Sequence, residues 1–587
     1  MSPQKQRVLA TGQEIAKYMS NISESRICQN CKQNFIIELD DFLFYEKIKV
    51  PPPTWCPECR MIRRISFNNV YSIYKHKCDK CGEDTISIYS PDKSNIVYCN
   101  PCWWGDSWDG REYSVDYNPN RPFFEQLAEL KNKTPWQALV SEYKTNINSK
   151  YANGIAYCKD CYMVFWGDYS ENVFYSTLIN TLKFSSDCIR GYFSELCYES
   201  VGFSRCYRLF FSDECDDCID VWFSRNCYNC TNCIGCVNLR GESHCIFNVK
   251  YSKEEYQEKL KELNLRSWKS LNELKIKAQE FWFTKPFRDF HSHSLSVNVS
   301  GDYVYESKNS KEMYIVNGAE DCKWCQFITV KSIKDCYDYS GWGNGAELIY
   351  EVATTGEGAS NIKFSDQCWP NVMDIEYSIY AISCKHVFGC VNLKNKEYCI
   401  LNKQYNKEEY EKLKKVIIED IKKNPYIDKL NRVWGYGEFL PLEFSPFAYN
   451  ETLAQLFFPK TKEEVIEKGF IWHEKKDNEY SITKKAEDLP DTINETNDSI
   501  LNEIISCSKC GKAYKFIGEE INLMRKLSIP LPQECYNCRQ QSRFARTNIP
   551  KLYDRNCMKC DKDINTPYSP DRPEIVYCEK CYQQEFN

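Results

Sequence analysis

Residues 184–197 read FSSDCIRGYFSELC, and the pattern that this stretch begins is the basis of the fold prediction. Cysteine falls at 188, 197, 206 and 215, then at 218, 227, 236 and 245, so two runs keep a nine-residue step. A Phe-Ser-x-x-Cys consensus recurs within the runs, beginning at Phe184, Phe193, Phe211 and Phe223. A short fixed period of this kind predicts a β-solenoid, in which each coil stacks on the last at a strand spacing of roughly 4.8 Å.

The pattern occurs twice in the centre of the chain. Cys236-Val-Asn-Leu-Arg240 returns as Cys390-Val-Asn-Leu-Lys394, at an offset of 154 residues. The second copy holds seven cysteines against twelve in the first. Val387 stands where the first copy has Cys233, and a packed core tolerates such an exchange. We therefore predict that the central cysteines are buried thiols, with a metal cluster as the alternative.

A helix is predicted after each copy, where it would cap the open end of the solenoid. Ser252 with Glu255, and Asn406 with Glu409, have the spacing of a capping box.

Both ends of the chain carry Cys-x-x-Cys pairs at metal-site spacing. The ligands predicted are Cys28, Cys31, Cys56, Cys59, Cys78, Cys81, Cys99 and Cys102 in the amino-terminal module, and Cys507, Cys510, Cys535, Cys538, Cys557, Cys560, Cys578 and Cys581 in the carboxy-terminal one. The second set repeats the first at a constant offset of 479. Four thiolates suit tetrahedral zinc, so we predict about four zinc ions in zinc-ribbon or treble-clef modules. The preferred grouping takes two consecutive Cys-x-x-Cys pairs as the four ligands of one zinc ion, and an interleaved cross-brace is the alternative.

These features predict a multidomain, mainly β protein. The predicted divisions are a two-zinc module plus helix (1–150), a first cysteine-rich solenoid (151–250), a helical connector (251–296), a second solenoid (297–404), a helix with a Pro/aromatic extended segment and an acidic linker (405–500), and a second two-zinc module (501–587).

Composition indicates a folded chain in the cytoplasm. Hydrophobic residues make up 42% of the 587, and the formal net charge is only −6, so no global field attracts nucleic acid. The first 27 residues lack an apolar core of signal-peptide length, and no run of 18 apolar residues predicts a membrane span. The 35 cysteines are an odd number, which favours metal sites over a disulfide framework.

A nucleic-acid partner, RNA or DNA, is predicted from basic residues after the second cysteine pair of each module. The candidates are Arg60, Arg63, Arg64, Arg539, Arg543, Arg546, Lys551 and Arg555. A basic stripe on a zinc-organised helix can contact phosphates. The alternative is that these residues balance the charge of about −2 on each four-thiolate zinc site.

No catalytic residue is assigned. The chain has only six histidines, and none pairs with a cysteine and a carboxylate in sequence; the pair His291 and His293 is interpreted as an exposed turn. A non-enzymatic, zinc-binding scaffold is therefore preferred. The alternatives are an assembly scaffold that binds a protein partner through the solenoid faces, a solenoid-borne enzyme, and a thiol-based metal or redox protein.

The terminal modules resemble the probable zinc-ribbon domains of small bacterial proteins, which pair a Cys-x-x-Cys…Cys-x-x-Cys-Arg unit with a second, shorter-spaced one. The whole chain is similar to a cysteine-rich family of uncharacterised proteins of candidate-phyla-radiation bacteria, through segments such as Phe447-Ala-Tyr-Asn-Glu-Thr452. The resemblance implies zinc binding and brings no established activity.

Overall fold

A computed structural model describes residues 23–69, 71–291, 295–474 and 480–586 of the chain; His293 lies outside them. The described part is mainly β and multidomain. Its helices are α1 (Leu39–Lys47), α2 (Pro57–Ile65), α3 (Asn100–Trp104), α4 (Phe123–Lys133), α5 (Lys253–Leu263), α6 (Trp268–Trp282), α7 (Lys407–Lys423), α8 (Leu453–Phe457), α9 (Lys462–Glu467), α10 (Gly518–Leu527), α11 (Tyr536–Phe544) and α12 (Glu579–Phe586).

The strands up to the end of the first central domain are β1 (Glu24–Ile27), β2 (Asn34–Ile37), β3 (Tyr74–Lys77), β4 (Asp84–Ser87), β5 (Val97–Tyr98), β6 (Trp136–Gln137), β7 (Asn153–Ala156), β8 (Phe165–Asp168), β9 (Glu171–Phe174), β10 (Thr177–Ser186), β11 (Ile189–Glu195), β12 (Val201–Ser204), β13 (Tyr207–Phe210), β14 (Asp213–Asp216), β15 (Ile219–Trp222), β16 (Thr231–Ile234), β17 (Ser243–Ile246) and β18 (Val249–Lys250).

The remaining strands are β19 (Pro286–Arg288), β20 (Val297–Tyr305), β21 (Lys308–Asn317), β22 (Ala319–Glu320), β23 (Gln326–Ile328), β24 (Ile333–Lys334), β25 (Tyr337–Ser340), β26 (Ala346–Ala353), β27 (Ser360–Asp366), β28 (Met373–Glu376), β29 (Lys385–Phe388), β30 (Glu397–Ile400), β31 (Lys403–Gln404), β32 (Tyr426–Ile427), β33 (Val433–Trp434), β34 (Lys484–Lys485), β35 (Ile505–Ser506), β36 (Ala513–Tyr514), β37 (Tyr553–Asn556), β38 (Asp563–Thr566) and β39 (Ile575–Tyr577).

Two twelve-stranded sheets form the centre of the molecule. The first sheet contains β7 to β18 and the second contains β20 to β31, and all their pairings are parallel except the last hairpin of each. In the first sheet, paired residues such as Val221 and Cys233, or Cys233 and Cys245, are twelve positions apart. In the second sheet the interval varies, from eleven between Val297 and Lys308 to fourteen between Gln326 and Ser340.

Cysteines therefore recur every nine residues, but paired strands of the first sheet are twelve residues apart. The coil length of nine that the cysteine spacing predicts is wrong. The underlying period is three: Tyr157, Asp160 and Met163 all have a left-handed backbone, and the residue after each of them is buried. Nine residues are three such triplets, so cysteines nine apart occupy buried positions without being strand partners. The pairing interval of twelve is four triplets.

Serine and cysteine share the buried positions of the first sheet because both satisfy the backbone there. Ser185 donates its hydroxyl to the carbonyl of Lys183 (2.8 Å) and accepts the N–H of Cys197 (3.0 Å). The thiol of Cys188 likewise donates to the carbonyl of Ser186, two residues earlier (3.3 Å). The central cysteines are buried, as predicted, and their thiols are hydrogen-bonded rather than merely apolar filler.

Both predicted capping boxes are present. The Ser252 and Asn406 side chains accept from the N–H groups of Glu255 and Glu409, at the starts of α5 and α7. Each helix contacts the last parallel strand of its sheet, β17 or β30. No helix of the described residues is long and apolar enough to cross a membrane.

The acidic segment predicted as a linker is packed against the connector. Ala486, Leu489 and Ile493 are buried in the same core as α6, and the Asp491 carbonyl accepts the N–H of Trp268 at the helix start (2.8 Å). The segment is therefore part of the folded body.

Candidate metal centres and their arginine helices

The sixteen predicted ligands form four separate groups. In each group the four sulfur atoms lie within 4.8 Å of one another, and the groups are Cys28/Cys31/Cys56/Cys59, Cys78/Cys81/Cys99/Cys102, Cys507/Cys510/Cys535/Cys538 and Cys557/Cys560/Cys578/Cys581. The grouping is the sequential one and not the cross-brace. Each group could hold a metal ion.

Each group is built from a hairpin and a following segment in the same way. The first cysteine directly follows a strand, and its carbonyl accepts the N–H of a left-handed residue four positions later, which is Lys32, Gly82, Gly511 or Asp561. The third cysteine immediately precedes a helix, α2, α3, α11 or α12. Its own N–H donates to the sulfur of the first cysteine, at 3.2 Å in all four groups.

The N–H groups that donate to these sulfur atoms favour the thiolate form of the cysteines, which is the form that binds metal. Burial alone would raise the pKa of Cys78, but the backbone N–H groups of Cys99, Cys81 and Lys80 lower it to about 7. Against the same burial, equivalent donors lower the pKa of Cys507 to about 7 and that of Cys557 to about 6. Four convergent sulfurs with N–H donors fit a tetrahedral zinc ion.

In the amino-terminal module, the arginines of α2 are buried against the second sheet. Arg63 donates to Glu351 (2.6 Å) and Glu438 (2.9 Å), and Arg64 donates to Asp338 and Glu351 (3.0 Å each). Arg60 donates to Asp338 (2.8 Å). Each of the three arginines is at most 1% exposed. We call Arg60, Arg63 and Arg64 with their three carboxylates the amino-terminal arginine cluster.

In the carboxy-terminal module, the arginines of α11 and the turn after it contact the first sheet. Arg543 donates to Asp187 (2.6 Å), and Arg539 donates to the same carboxylate (3.0 Å). Arg546 donates to the carbonyl of Glu199 (3.0 Å). We call these three arginines with Asp187 and Glu199 the carboxy-terminal arginine cluster.

The other two predicted nucleic-acid contacts lie nearer the surface. Lys551 forms an ion pair with Glu58 of the opposite module (2.8 Å), and Arg555 donates to the carbonyls of Tyr568 and Ser569. Five of the eight predicted residues are buried, namely Arg60, Arg63, Arg64, Arg539 and Arg543. They donate to carboxylates and to other oxygen atoms of the same chain, so they are not free to contact phosphate.

The arginine contacts of the modules are crossed with respect to chain order. The arginine ion pairs of α2 join the amino-terminal module to the second sheet, and those of α11 join the carboxy-terminal module to the first. The backbone pairings of the modules are not crossed: β5 of the amino-terminal module pairs with β6, which precedes the first sheet, and β39 of the carboxy-terminal module pairs with β19, which precedes the second sheet. Helix α8 contacts both α2 and α11.

Sequence reasoning missed the carboxylates that receive the arginines. Asp187 and Glu199 are twelve residues apart, and that interval could have identified them as neighbours had the pairing step been known. Sequence reasoning also missed the contacts of two histidines: His291 lies 2.9 Å from Asp302, and His386 lies 2.9 Å from Asp374.

Comparisons with family models, curated proteins and solved structures gave no match for this chain. The family resemblance, and with it the bacterial origin, therefore stays a prediction.

Proposed function

We propose that this protein is a non-enzymatic, zinc-dependent scaffold, in which four zinc sites at the chain ends hold two central β-solenoids in a fixed arrangement. One observation carries the proposal: the helix that follows a candidate zinc site inserts its arginines into a buried carboxylate cluster of a central sheet, at both ends of the chain. Zinc would fix the start of each helix and so place its arginines.

The solenoid and the duplication are parts of this proposal. Parallel pairing at a twelve-residue interval, with a left-handed backbone at every third residue, supports coils of four short sides. The offsets of 154 and 479 residues, and the similar contacts made by the two modules, support two duplicated units.

We place a protein partner on exposed apolar side chains of the first sheet. Among the described residues these include Tyr157, Tyr169, Phe193, Tyr207 and Ile219, each between 45% and 61% exposed. Tyrosine and phenylalanine are enriched at protein interfaces. Nucleic-acid contact has less support, because most of its predicted arginines are buried.

Zinc analysis of the purified chain tests the scaffold proposal. We expect about four zinc ions per chain, and chelation should increase hydrogen exchange in both central sheets as well as in the modules. A chain that loses its zinc with unchanged exchange in the sheets would contradict the proposal.

A salt series with single- and double-stranded RNA and DNA tests the alternative. Binding that falls steeply with salt, and that is lost when Lys551 and Arg555 are changed to Glu, would favour phosphate contact. We expect no salt-dependent binding that these two residues control.

A further inference from the structure

One turn of the first sheet has a cysteine at each of four successive buried positions. Cys227, Cys230, Cys233 and Cys236 follow at three-residue spacing, and each is at most 1% exposed. Cys218 precedes Cys230 by the twelve-residue pairing interval, and its thiol donates to the carbonyl of Cys227 (3.5 Å). We call Cys218, Cys227, Cys230 and Cys233 the thiol nest.

Packing alone does not require the nest. The second sheet has the same register 154 residues later, where Val221 paired with Cys233 corresponds to Ile375 paired with Val387. The positions equivalent to the nest are Val372, Ala381, Cys384 and Val387, all at most 3% exposed. Three of the four sulfurs are thus replaced by hydrocarbon in a sheet of the same kind.

We propose that the thiol nest binds a soft monovalent cation, Cu(I), at a site separate from the four terminal clusters and independent of their function. Thiolates are soft ligands of the kind that bind Cu(I). Binding would exchange a proton for the metal at each sulfur that becomes a thiolate, with no change in oxidation state.

The geometry favours Cu(I) over zinc. Among the described residues, the sulfur groups with all members within 4.8 Å are the four terminal clusters, and the nest is not one of them. It therefore lacks the compact tetrahedral shell that structural zinc sites use. Burial also favours Cu(I), because a smaller charge costs less to remove from water. Cu(I) with two thiolates carries about −1, whereas zinc with four thiolates carries about −2.

The surroundings of the nest can admit an ion. Tyr228 and Asn229, which immediately precede Cys230, are both exposed, so the nest lies one layer beneath solvent. A cation would not have to cross a thick core to reach it.

The test is anaerobic Cu(I) titration of the zinc-loaded full chain against a colorimetric Cu(I) chelator, with copper and zinc measured per chain. We expect about one tightly bound Cu(I) and no release of zinc. The decisive variant combines Cys218→Val, Cys227→Ala and Cys233→Val, which introduces the residues of the second sheet. It should keep its zinc and its circular dichroism spectrum and lose the copper site.

Cys197→Val is the matched control, because Cys197 is equally buried but lies outside the nest, and the hydroxyl of Ser185 accepts its backbone N–H. It should bind copper like the wild type. Equal copper binding by the triple variant, or uptake matched by zinc release, would overturn the proposal. If the triple variant does not fold, X-ray absorption of the wild type decides: two or three sulfurs around copper support the nest, and four sulfurs refute it.

Discussion

At the residue scale, the central ion pairs depend on acidic residues with a left-handed backbone. Asp187 and Glu199 have φ of 57° and 54°, and Asp338 and Glu351 have φ of 54° and 50°. Each pair lies on neighbouring turns of a sheet, because the pairing interval is twelve in one case and thirteen in the other. Two carboxylates thereby face the same helix, which supplies two or three guanidinium groups.

The pair between Arg543 and Asp187 is expected to be among the most costly to break. Arg543→Met leaves Asp187 buried with one cation fewer, and a loss of about 3–5 kcal/mol in the free energy of unfolding is expected. Asp187→Asn should cost a similar amount, and the double variant should cost less than the sum. Urea unfolding measures all three.

The matched control is Arg205→Met, which breaks an exposed pair with Asp217 across the same twelve-residue interval. Its cost should be below about 1 kcal/mol. Similar losses for the buried and the exposed pair would show that the carboxy-terminal arginine cluster does not hold the module to the sheet.

Glu520 in α10 gives a pH dependence to this cluster. Burial raises its pKa to about 7 although Arg539 acts to lower it. The folded state therefore holds a proton that the unfolded state, with a pKa of about 4.5, releases, so stability falls as pH rises from about 4.5 through 7. Between pH 6 and 8 the loss should be about 1 kcal/mol. Glu520→Gln should remove it, and an unchanged pH slope in chemical unfolding would contradict the assignment.

At the element scale, the turns that carry the Cys-x-x-Cys pairs and the starts of the capped helices could be predicted from sequence, because their determinants are local. Cys28 with Cys31, or Ser252 with Glu255, are a few residues apart, and their geometry follows from that spacing. The twelve-residue pairing interval could not be predicted from cysteine alone, because serine and valine fill the intervening buried positions, as at Ser200 and Val221.

The partners of the arginine side chains could not be predicted for a different reason. A basic stripe on a helix looks the same whether it contacts a phosphate or an internal carboxylate. Arg543 and Asp187 are 356 residues apart in sequence, so only the tertiary structure shows that they pair.

Cys535 belongs to a candidate zinc site and precedes a helix that contacts the first sheet. Removing this cysteine should therefore affect both the zinc content and the hydrogen exchange of that sheet. The residue precedes α11, whose Arg539 and Arg543 contact the first sheet. Cys535→Ser should reduce the zinc content by about one ion per chain, because thiolate is the ligand that the site requires. Hydrogen exchange should then increase around Asp187 and Glu199 in the first sheet.

Cys56→Ser is the counterpart in the amino-terminal module and should produce the opposite pattern, with faster exchange around Asp338 and Glu351 in the second sheet. Native mass spectrometry and hydrogen exchange give both readouts. Exchange that increases only within the mutated module would mean that the zinc sites stabilise their own modules alone.

At the scale of the whole molecule, the crossed contacts join the two halves of the chain. The first half contains the amino-terminal module and the first sheet, and the second half contains the second sheet and the carboxy-terminal module. Each module makes its buried ion pairs with the sheet of the other half. Neither half by itself contains a complete arginine cluster, so their stability should be shared.

Two fragments, residues 1–294 and 295–587, should therefore assemble when they are produced together. We expect a 1:1 complex with about two zinc ions on each fragment, because each carries two of the four-cysteine groups and each group suits one ion. Either fragment produced alone should expose its unpaired charges and apolar surface, and should aggregate or unfold at lower denaturant concentration. Size-exclusion chromatography with light scattering and zinc analysis measures the assembly.

Arg64→Glu in the first fragment should weaken the complex, since it places a third carboxylate beside Asp338 and Glu351. Lys77→Glu, at an exposed position of the same module, should leave the complex intact. Two fragments that are stable alone and do not associate would show that the crossed contacts contribute little to holding the molecule together.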